Sequence, residues 1–310
     1  MLNAYAFHEK ADPFNTCPEE EMKAVTVEVS AVNAAVRRFF QGTPILKDIY
    51  YKARSAYQHH RMMRVARGHV INLDEYDDAL KLEDGKVVDV RMKDGLTISL
   101  RRDHMDAGIL AEVFFDNCYV QDLFLPPNPV VVDIGGFIGD FALYAATRLK
   151  ARRVVVCEPA PRNWTLLVKN IQTNHCEDRV SMVNKAVTDG RVAMLDIDAP
   201  DRGQARVSAY GSSGFEKKAV ESISLSLLLA EFRITEVDLL KIDCEGGEYD
   251  ILLTTPSGVL SGVKNIVFEY HEIDGFQQKL NAVRERLSAE GFLLKTRGCL
   301  IAARRATIPA

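Results

Sequence analysis

The stretch that most constrains this chain is Val130-Val131-Val132-Asp133-Ile134-Gly135-Gly136-Phe137-Ile138-Gly139-Asp140. Three consecutive valines make a short, wholly apolar run, which reads as a strand buried on both faces of a parallel sheet. The glycines after it allow a tight turn into a helix, predicted over residues 137–149. A strand, a glycine turn and a helix N-terminus form a site for a nucleotide-like ligand, with free backbone N–H groups and the helix dipole expected to point outward. Asp133 adds negative charge to that rim. A phosphate loop keeps such a charge away, whereas a cationic ligand is drawn to it.

The chain beyond this turn alternates strands and helices. Arg153–Cys157 is the second buried strand and ends in Glu158-Pro159. An acidic residue at that tip is where nucleotide-binding α/β folds hydrogen-bond ribose hydroxyls. A helix is predicted over 162–174 and strands over 180–187 and 192–197, and the polar, glycine-rich residues 199–219 are assigned to a substrate mouth. A helix over 226–233 leads to a strand over 237–243, which runs into Asp243-Cys244-Glu245-Gly246-Gly247-Glu248. Next come a strand over 265–271, with Glu269 and His271 on one face, a helix over 274–290, and a hairpin of 292–296 with 299–303. The pattern implies a mostly parallel sheet covered on both faces, with ligands at the carboxyl ends of its strands. That edge collects Asp133, Glu158, Asp243, Glu245, Glu269 and His271.

The first part of the chain reads differently. Two amphipathic helices, from Thr16 to Gly42 and from Thr43 to Gly68, form a helical hairpin whose apolar stripe packs internally or serves as a dimer seam. The second helix carries Lys52, Arg54, His59, His60, Arg61, Arg64 and Arg67, with no acid over 53–68. This is a solvated face or a contact surface for an anionic acceptor such as a nucleotide sugar or phosphorylated glycan. A small β region follows, with a hairpin of 86–92 and 96–100 around Lys93-Asp94-Gly95 and a strand or short helix over 109–115. Pro126-Pro127-Asn128-Pro129 marks the expected boundary between a cap, assembly or substrate region, 1–125, and a cofactor-binding domain, 126–310.

With 47% apolar and 26% charged residues, the 310-residue chain is globular rather than disordered or fibrous. Its net charge of −4 argues against broad, non-specific nucleic-acid binding. Six scattered cysteines without a CxxC pair suggest neither a zinc site nor a disulfide framework, and point to reduced thiols in a cytoplasmic protein. Residues 1–11 lack a secretory pattern, and no apolar run approaches the ~18 residues of a spanning helix.

The combination of Val-Val-Val-Asp-Ile-Gly-Gly-Phe-Ile-Gly-Asp, Val-Cys-Glu-Pro, Asp-Leu-Leu-Lys-Ile-Asp-Cys-Glu-Gly-Gly-Glu and Phe-Glu-Tyr-His resembles the FkbM family of S-adenosylmethionine-dependent methyltransferases, over residues 130 to about 303. The resemblance implies a class I methyltransferase fold, a Rossmann-like α/β architecture with a seven-stranded, mostly parallel sheet and an antiparallel C-terminal hairpin. It also implies methyl transfer mainly to hydroxyl oxygens of sugars, glycans or polyketide-type products. Carried over by position, Asp133, Gly135, Gly136 and Gly139 embrace the cofactor's amino-acid part, and Glu158 takes its ribose hydroxyls. Asn163 and the segment ending at Ala186 lie near the adenosine. Gly136 stands where many relatives have Ala, a change not expected to impair binding.

His271 is the candidate base, since an ordinary imidazole pKa near 6.5 suits proton acceptance at neutrality. Asp243 or Glu245 then orients the acceptor or the base, Asp243 also bordering the cofactor, and Lys241 braces the charge cluster. Asp243, Glu245, Glu269 and His271 could instead hold a hard divalent cation. Two rival functions remain open: a nicotinamide-dependent dehydrogenase, whose Gly-x-Gly-x-x-Gly fingerprint fails here in register, and a non-catalytic binding module of the same fold.

Overall fold

In the computed structural model the described residues are 59–81, 85–102, 105–198, 206–207 and 217–306. They fall almost wholly in the second of two compact units, Met1–Arg64 and Val65–Ala310. The first predicted helix, most of the second, and the dimer seam proposed on them lie outside the described residues.

The second unit contains a seven-stranded sheet. Its strands are β3 (Val130–Ile134), β4 (Arg153–Cys157), β5 (Val180–Val183), β10 (Leu239–Ile242), β11 (Asn265–Glu269), β12 (Phe292–Arg297) and β13 (Leu300–Arg305), in the spatial order β12-β13-β11-β10-β3-β4-β5. β13 is antiparallel to both neighbours, and the β4–β5, β3–β4, β3–β10 and β10–β11 pairs are parallel. This is the class I methyltransferase architecture. The three valines of β3 are buried on both faces because helices cover both sides of the sheet. From β3 the chain builds outward to β4 and β5, then returns to lay β10 on the other side of β3. Such a switch point opens a crevice above the carboxyl ends of β3 and β10. There the register sets Asp133 beside Lys241.

Most predicted strands agree to within two residues; three readings change. The run predicted as one strand over 180–187 breaks after Val183. Ala186–Thr188 (β6) instead joins a four-stranded sheet with Met194–Asp198 (β7), Arg206–Val207 (β8) and Lys217–Ser224 (β9), in the order β6-β9-β7-β8. β9 lies partly in the stretch read as an irregular mouth. The helix after the glycine turn is Asp140–Thr147, three residues later at its start than predicted, because Phe137 and Gly139 have φ of 48° and 82°. Residues 105–115 are helical, an α-helix at Met105–Leu110 and a π-helix at Ala111–Phe115. Short helices at Leu73–Ala79, Glu248–Thr254 and Ser257–Leu260 were not anticipated.

The predicted hairpin is present as Val87–Arg91 (β1) paired antiparallel with Thr97–Arg101 (β2). The helix Pro161–Thr173 ties it to the sheet unit. Asn170 accepts from Ser99 N at 2.7 Å and donates to Ser99 O at 3.2 Å, and Asn174, the capping residue, accepts from Thr97 N at 2.9 Å and donates to Thr97 O at 2.7 Å. Spaced four apart on one helical face, the two amides pair with β2 much as another strand would. Asn170 also donates to Ile138 O at 2.8 Å, linking the hairpin to the glycine turn. Asn170→Ala strands three buried backbone groups, so a loss of about 1–3 kcal/mol and a melting point lower by several degrees are expected. Thermal denaturation followed by circular dichroism checks this.

Candidate active site

The glycine turn folds onto its neighbours rather than toward the crevice. Gly135 has φ of 80°, and a Cβ there would lie 1.7 Å from Asp243 O, so the turn is pressed against the end of β10. At Gly136 a Cβ would fall 2.2 Å from Val156 Cγ2 on β4. An alanine there does not fit this chain without a shift of Val156. The N–H groups of Gly135 and Gly136 both donate to Cys157 O, at 3.0 and 2.9 Å, that of Gly139 to Gly136 O at 2.7 Å, and that of Phe137 to Glu158 Oε2 at 2.9 Å. The outward-pointing donors expected from the sequence are thus engaged within the protein.

Acidic groups surround the turn instead. Asp133 is fully buried and faces Lys241 Nζ at 3.0 Å, while Lys241 Nζ donates to Gly135 O at 2.6 Å. Lys241 therefore braces the cluster, as its place on β10 suggested. Burial alone would lower its pKa, but Asp133, Asp243 and Asp140 outweigh burial and hold it above the ordinary lysine range. Asp140, at the first turn of its helix, is buried, and its Oδ2 has no hydrogen-bond partner among the described residues. Burial pushes its carboxyl up to about 7, against the pull of Lys241 and with a further push from Asp133. The cluster is poor in positive charge and rich in buried acceptors, which fits a cationic ligand and disfavours a pyrophosphate.

Glu158 lies in the wall beside the turn. Oε1 accepts from Ala160 N at 2.8 Å and Asn163 Nδ2 at 3.3 Å, and Oε2 from Phe137 N. A carboxylate offers about four lone-pair sites, so three bonds leave one on Oε2 for a ligand hydroxyl. Burial raises Glu158 to about 7, opposed by the N–H donors of Ala160 and Phe137 and by Asn163. Asn163 accepts in turn from Arg101 Nη1 at 2.9 Å, and Arg101 forms a buried pair with Asp106 at 2.8 Å and lies over the Phe137 ring at 5.0 Å. Arg101 and Asp106 were not anticipated, because what joins this local pair to the site is Asn163, 62 positions from Arg101. Ala186, at the start of β6, packs in a small apolar group with Ala160, Ile197 and Val220, while Asn184 donates to Glu158 O at 2.8 Å.

On the other side of the crevice the turn after β10 carries Glu245 in the left-handed region, at φ 56°. Such strain concentrates at functional sites. Glu248, also missed as a site residue, is fully buried and accepts from Gly246 N at 2.8 Å and His271 N at 2.9 Å. It also faces His271 Nδ1 at 3.2 Å, which fixes the ring so that Nε2 faces Asp243 Oδ1 and Glu245 Oε1, each at 3.7 Å. Burial lowers the imidazole pKa, but the Glu248 hydrogen bond and the charges of Glu245, Glu248 and Asp243 win and raise it to about 10. The three carboxylates therefore favour the protonated ring in the free protein, against the near-neutral base inferred from its ordinary pKa.

Glu269 does not pair with His271; Cys299 Sγ donates to its Oε1 at 3.1 Å. Asp243 Oδ2 accepts from Tyr119 Oη at 2.7 Å, a contact no sequence signal announced. With Nδ1 engaged by Glu248 and Glu269 turned to Cys299, the divalent-cation reading of Asp243, Glu245, Glu269 and His271 is not supported. Among the described residues no group of three or more His, Cys, Asp or Glu is arranged to hold a metal ion.

A parallel sheet with this strand order and an acidic crevice at its switch point defines a methyltransferase of the Rossmann-like class. Residues 133–294 match the methyltransferase FkbM domain, and the chain belongs to that family. It is 27% identical over 206 residues to the methyltransferase sdnD of Sordaria araneosa, covering 57% of this chain and 79% of the relative. To the 31-O-demethyl-FK506 methyltransferase FkbM of Streptomyces tacrolimicus it is 26% identical over 237 residues, covering 66% of this chain and 88% of the relative. The crystal structure of methyltransferase FkbM from Methylobacillus flagellatus KT is similar at 15% identity and a TM-score of 0.43, over 63% of this chain and 47% of that one. With the family established, the dehydrogenase reading falls.

Two outcomes are expected. Gly136→Ala overpacks the turn against Val156, at a cost of about 1–3 kcal/mol in chemical denaturation. Asp140 and Glu158 have folded-state pKa values raised to about 7. Their contribution to stability is present below the unfolded values near 4 and is lost as pH rises through about 7. The wild type should accordingly lose melting temperature relative to Asp140→Asn across that window, as scanning calorimetry at a series of pH values would reveal.

Proposed function

We propose that this methyltransferase uses S-adenosylmethionine to methylate a hydroxyl oxygen of a sugar, glycan or polyketide-type product. The observation that carries the proposal is the polarity of the glycine turn. The N–H groups of Gly135, Gly136, Phe137 and Gly139 are engaged inward, while buried carboxylates line the crevice. That arrangement suits a ligand with a sulfonium and an ammonium better than one with phosphates.

In this reading Asp133, Gly135, Gly136 and Gly139 form the floor beneath the cofactor's amino-acid portion, with Asp133 acting through its ion pair with Lys241. Glu158 accepts a ribose hydroxyl on its remaining lone pair, Asn163 holds Glu158 in place, and Ala186 belongs to the adenosine wall. Asp243 borders both cofactor and acceptor. When bound, the cofactor supplies an electrophilic methyl group, and the protein's share is alignment of the acceptor oxygen and removal of its proton. His271 Nε2 is the proposed proton acceptor, with Asp243 and Glu245 orienting the hydroxyl. Positive charge beside those carboxylates weakens the imidazole's hold on its own proton and brings it into range for this role.

The remaining parts of the proposal rest on sequence pattern. Residues 1–125 serve as a cap, assembly or acceptor-binding region, residues 126–310 form the cofactor domain, and the apolar stripe expected over residues 16–68 packs internally or pairs two copies. A cytoplasmic location is part of the same reading, from six scattered cysteines without a CxxC pair.

Titration calorimetry with S-adenosylmethionine and with NAD tests the cofactor assignment. Binding of the first alone is expected, and binding of NAD alone, or of neither, overturns it. Against a panel of methyl glycosides and polyketide alcohols, one product should gain the mass of a CH₂ unit. His271→Ala should keep cofactor affinity and lose about 10²–10⁴-fold in turnover; unchanged turnover removes His271 as the base.

A further inference from the structure

Tyr119 lies outside the region that matches the family, which begins at residue 133, yet its hydroxyl meets Asp243 just beyond the end of β10. It follows the π-helix Ala111–Phe115 and the left-handed Asn117, whose Oδ1 accepts from Tyr144 Oη at 2.8 Å. This path lays the phenol ring over the carboxyl end of β10. The ring packs edge-on against Phe141, with centroids 5.2 Å apart, and Lys241 Nζ lies 5.2 Å from its centre. Held on those sides, the buried side chain keeps its hydroxyl in one place, donating to Asp243 Oδ2 at 2.7 Å.

Four side chains then follow one another in contact: Tyr119, Asp243, His271 and Glu248. The two end links are within hydrogen-bonding reach, at 2.7 Å for Tyr119 with Asp243 and 3.2 Å for Glu248 with His271 Nδ1. The middle link is not, because Asp243 Oδ1 stands 3.7 Å from His271 Nε2. A carboxylate beside an imidazolium ordinarily closes to below about 3.2 Å, since a charge-assisted hydrogen bond is stronger than a neutral one. Something therefore holds Asp243 back, and the phenol is bonded to the oxygen that would have to move with it.

We infer that Tyr119 is a positioning residue: by holding Asp243 Oδ2 it keeps Asp243 Oδ1 from closing on His271 Nε2, and so reserves that nitrogen for the acceptor's hydroxyl. This rests on the proposed function for its last clause only. The phenol itself acts as a donor, not as a base. Burial first, then Asp243, Cys118 and Glu269, keep its proton in place. The charges facing His271 are Glu245, Glu248 and Asp243, and Tyr249 Oη donates to its backbone oxygen at 2.6 Å, so the ring is fixed, with Glu245 Oε1 standing as far from Nε2 as Asp243 Oδ1, at 3.7 Å.

The test uses the full chain labelled with ¹⁵N-histidine, with the His271 Nε2–H signal assigned by its loss in His271→Gln. In Tyr119→Phe, which keeps the ring and removes the donor, Asp243 should close on the imidazolium. The Nε2 proton is then expected to move downfield and to exchange more slowly with water. In an Asp243→Asn background the same substitution should move nothing further, as expected for residues acting through one another. Should Tyr119→Phe fail to fold, replacing Tyr119 by a ring-fluorinated tyrosine strengthens the donor and should shift the signal the opposite way. An unmoved signal in the folded variant overturns the inference. Calorimetry with S-adenosylmethionine separates the two readings: the variant's affinity should stay within about threefold of wild type, or 0.65 kcal/mol. A wild type that binds none sinks the proposed function, while the histidine signal still decides whether Tyr119 holds Asp243 back. A loss of affinity with an unmoved signal makes Tyr119 a cofactor contact instead, and defeats the positioning role.

Discussion

The pairing of Lys241 with Asp133 between adjacent parallel strands is the interaction on which the crevice depends. Register places the two opposite each other at the level where β3 and β10 end, and both are buried. An isolated charge at that depth would be expensive, and removal of either partner would leave the other uncompensated. Lys241 also donates to Gly135 O, so the same ammonium that neutralises the strand end pins the first residue of the turn. The turn in turn leans on β10 through Gly135 and on β4 through Gly136 and Cys157 O. Ion pair, turn and strand ends are thus one rigid object, and the functional side chains radiate from it.

Two regions of contrasting chemistry flank this object. Toward β4, Glu158, Asn163, Arg101 and Asp106 form a chain of hydrogen bonds that ends in the hairpin region preceding the sheet. Toward β11, His271 is enclosed by Glu248, Glu245 and Asp243, so its proton is held by carboxylates. The first region is fully bonded and set for recognition by shape and a single remaining lone pair. The second keeps a gap at Nε2, 3.7 Å from each of two carboxylates. The two kinds of site follow from whether each polar atom already has its partner.

Much of the fold is legible in the sequence because the central strands are short apolar runs bounded by turn residues. Val130–Ile134, Arg153–Cys157 and Leu239–Ile242 could hardly be anything else. Local pattern is weaker where conformation is imposed by neighbours. The helix after the turn starts late because Phe137 is held left-handed while its N–H reaches Glu158, a contact 21 positions away. Lys217–Ser224 was hidden in polar surroundings, since its partner strands form a separate small sheet. The acids at the strand ends could be named from position alone. Their partners could not: Tyr119 meets Asp243 across 124 positions and Arg101 meets Asn163 across 62. Nor could the protonation of His271 be read, because three carboxylates, not the residue type, decide it.

The place of β13 carries a consequence for how the protein is made. It follows every other strand of the sheet in chain order, yet it lies between β11 and β12. Until residues beyond 299 have left the ribosome, β11 therefore has an open edge, and Tyr270, one residue before His271, lacks the carbonyl of Cys299 that receives its N–H. The strand that leads to His271 is therefore completed last, and a chain cut before β13 leaves β11 without its antiparallel partner.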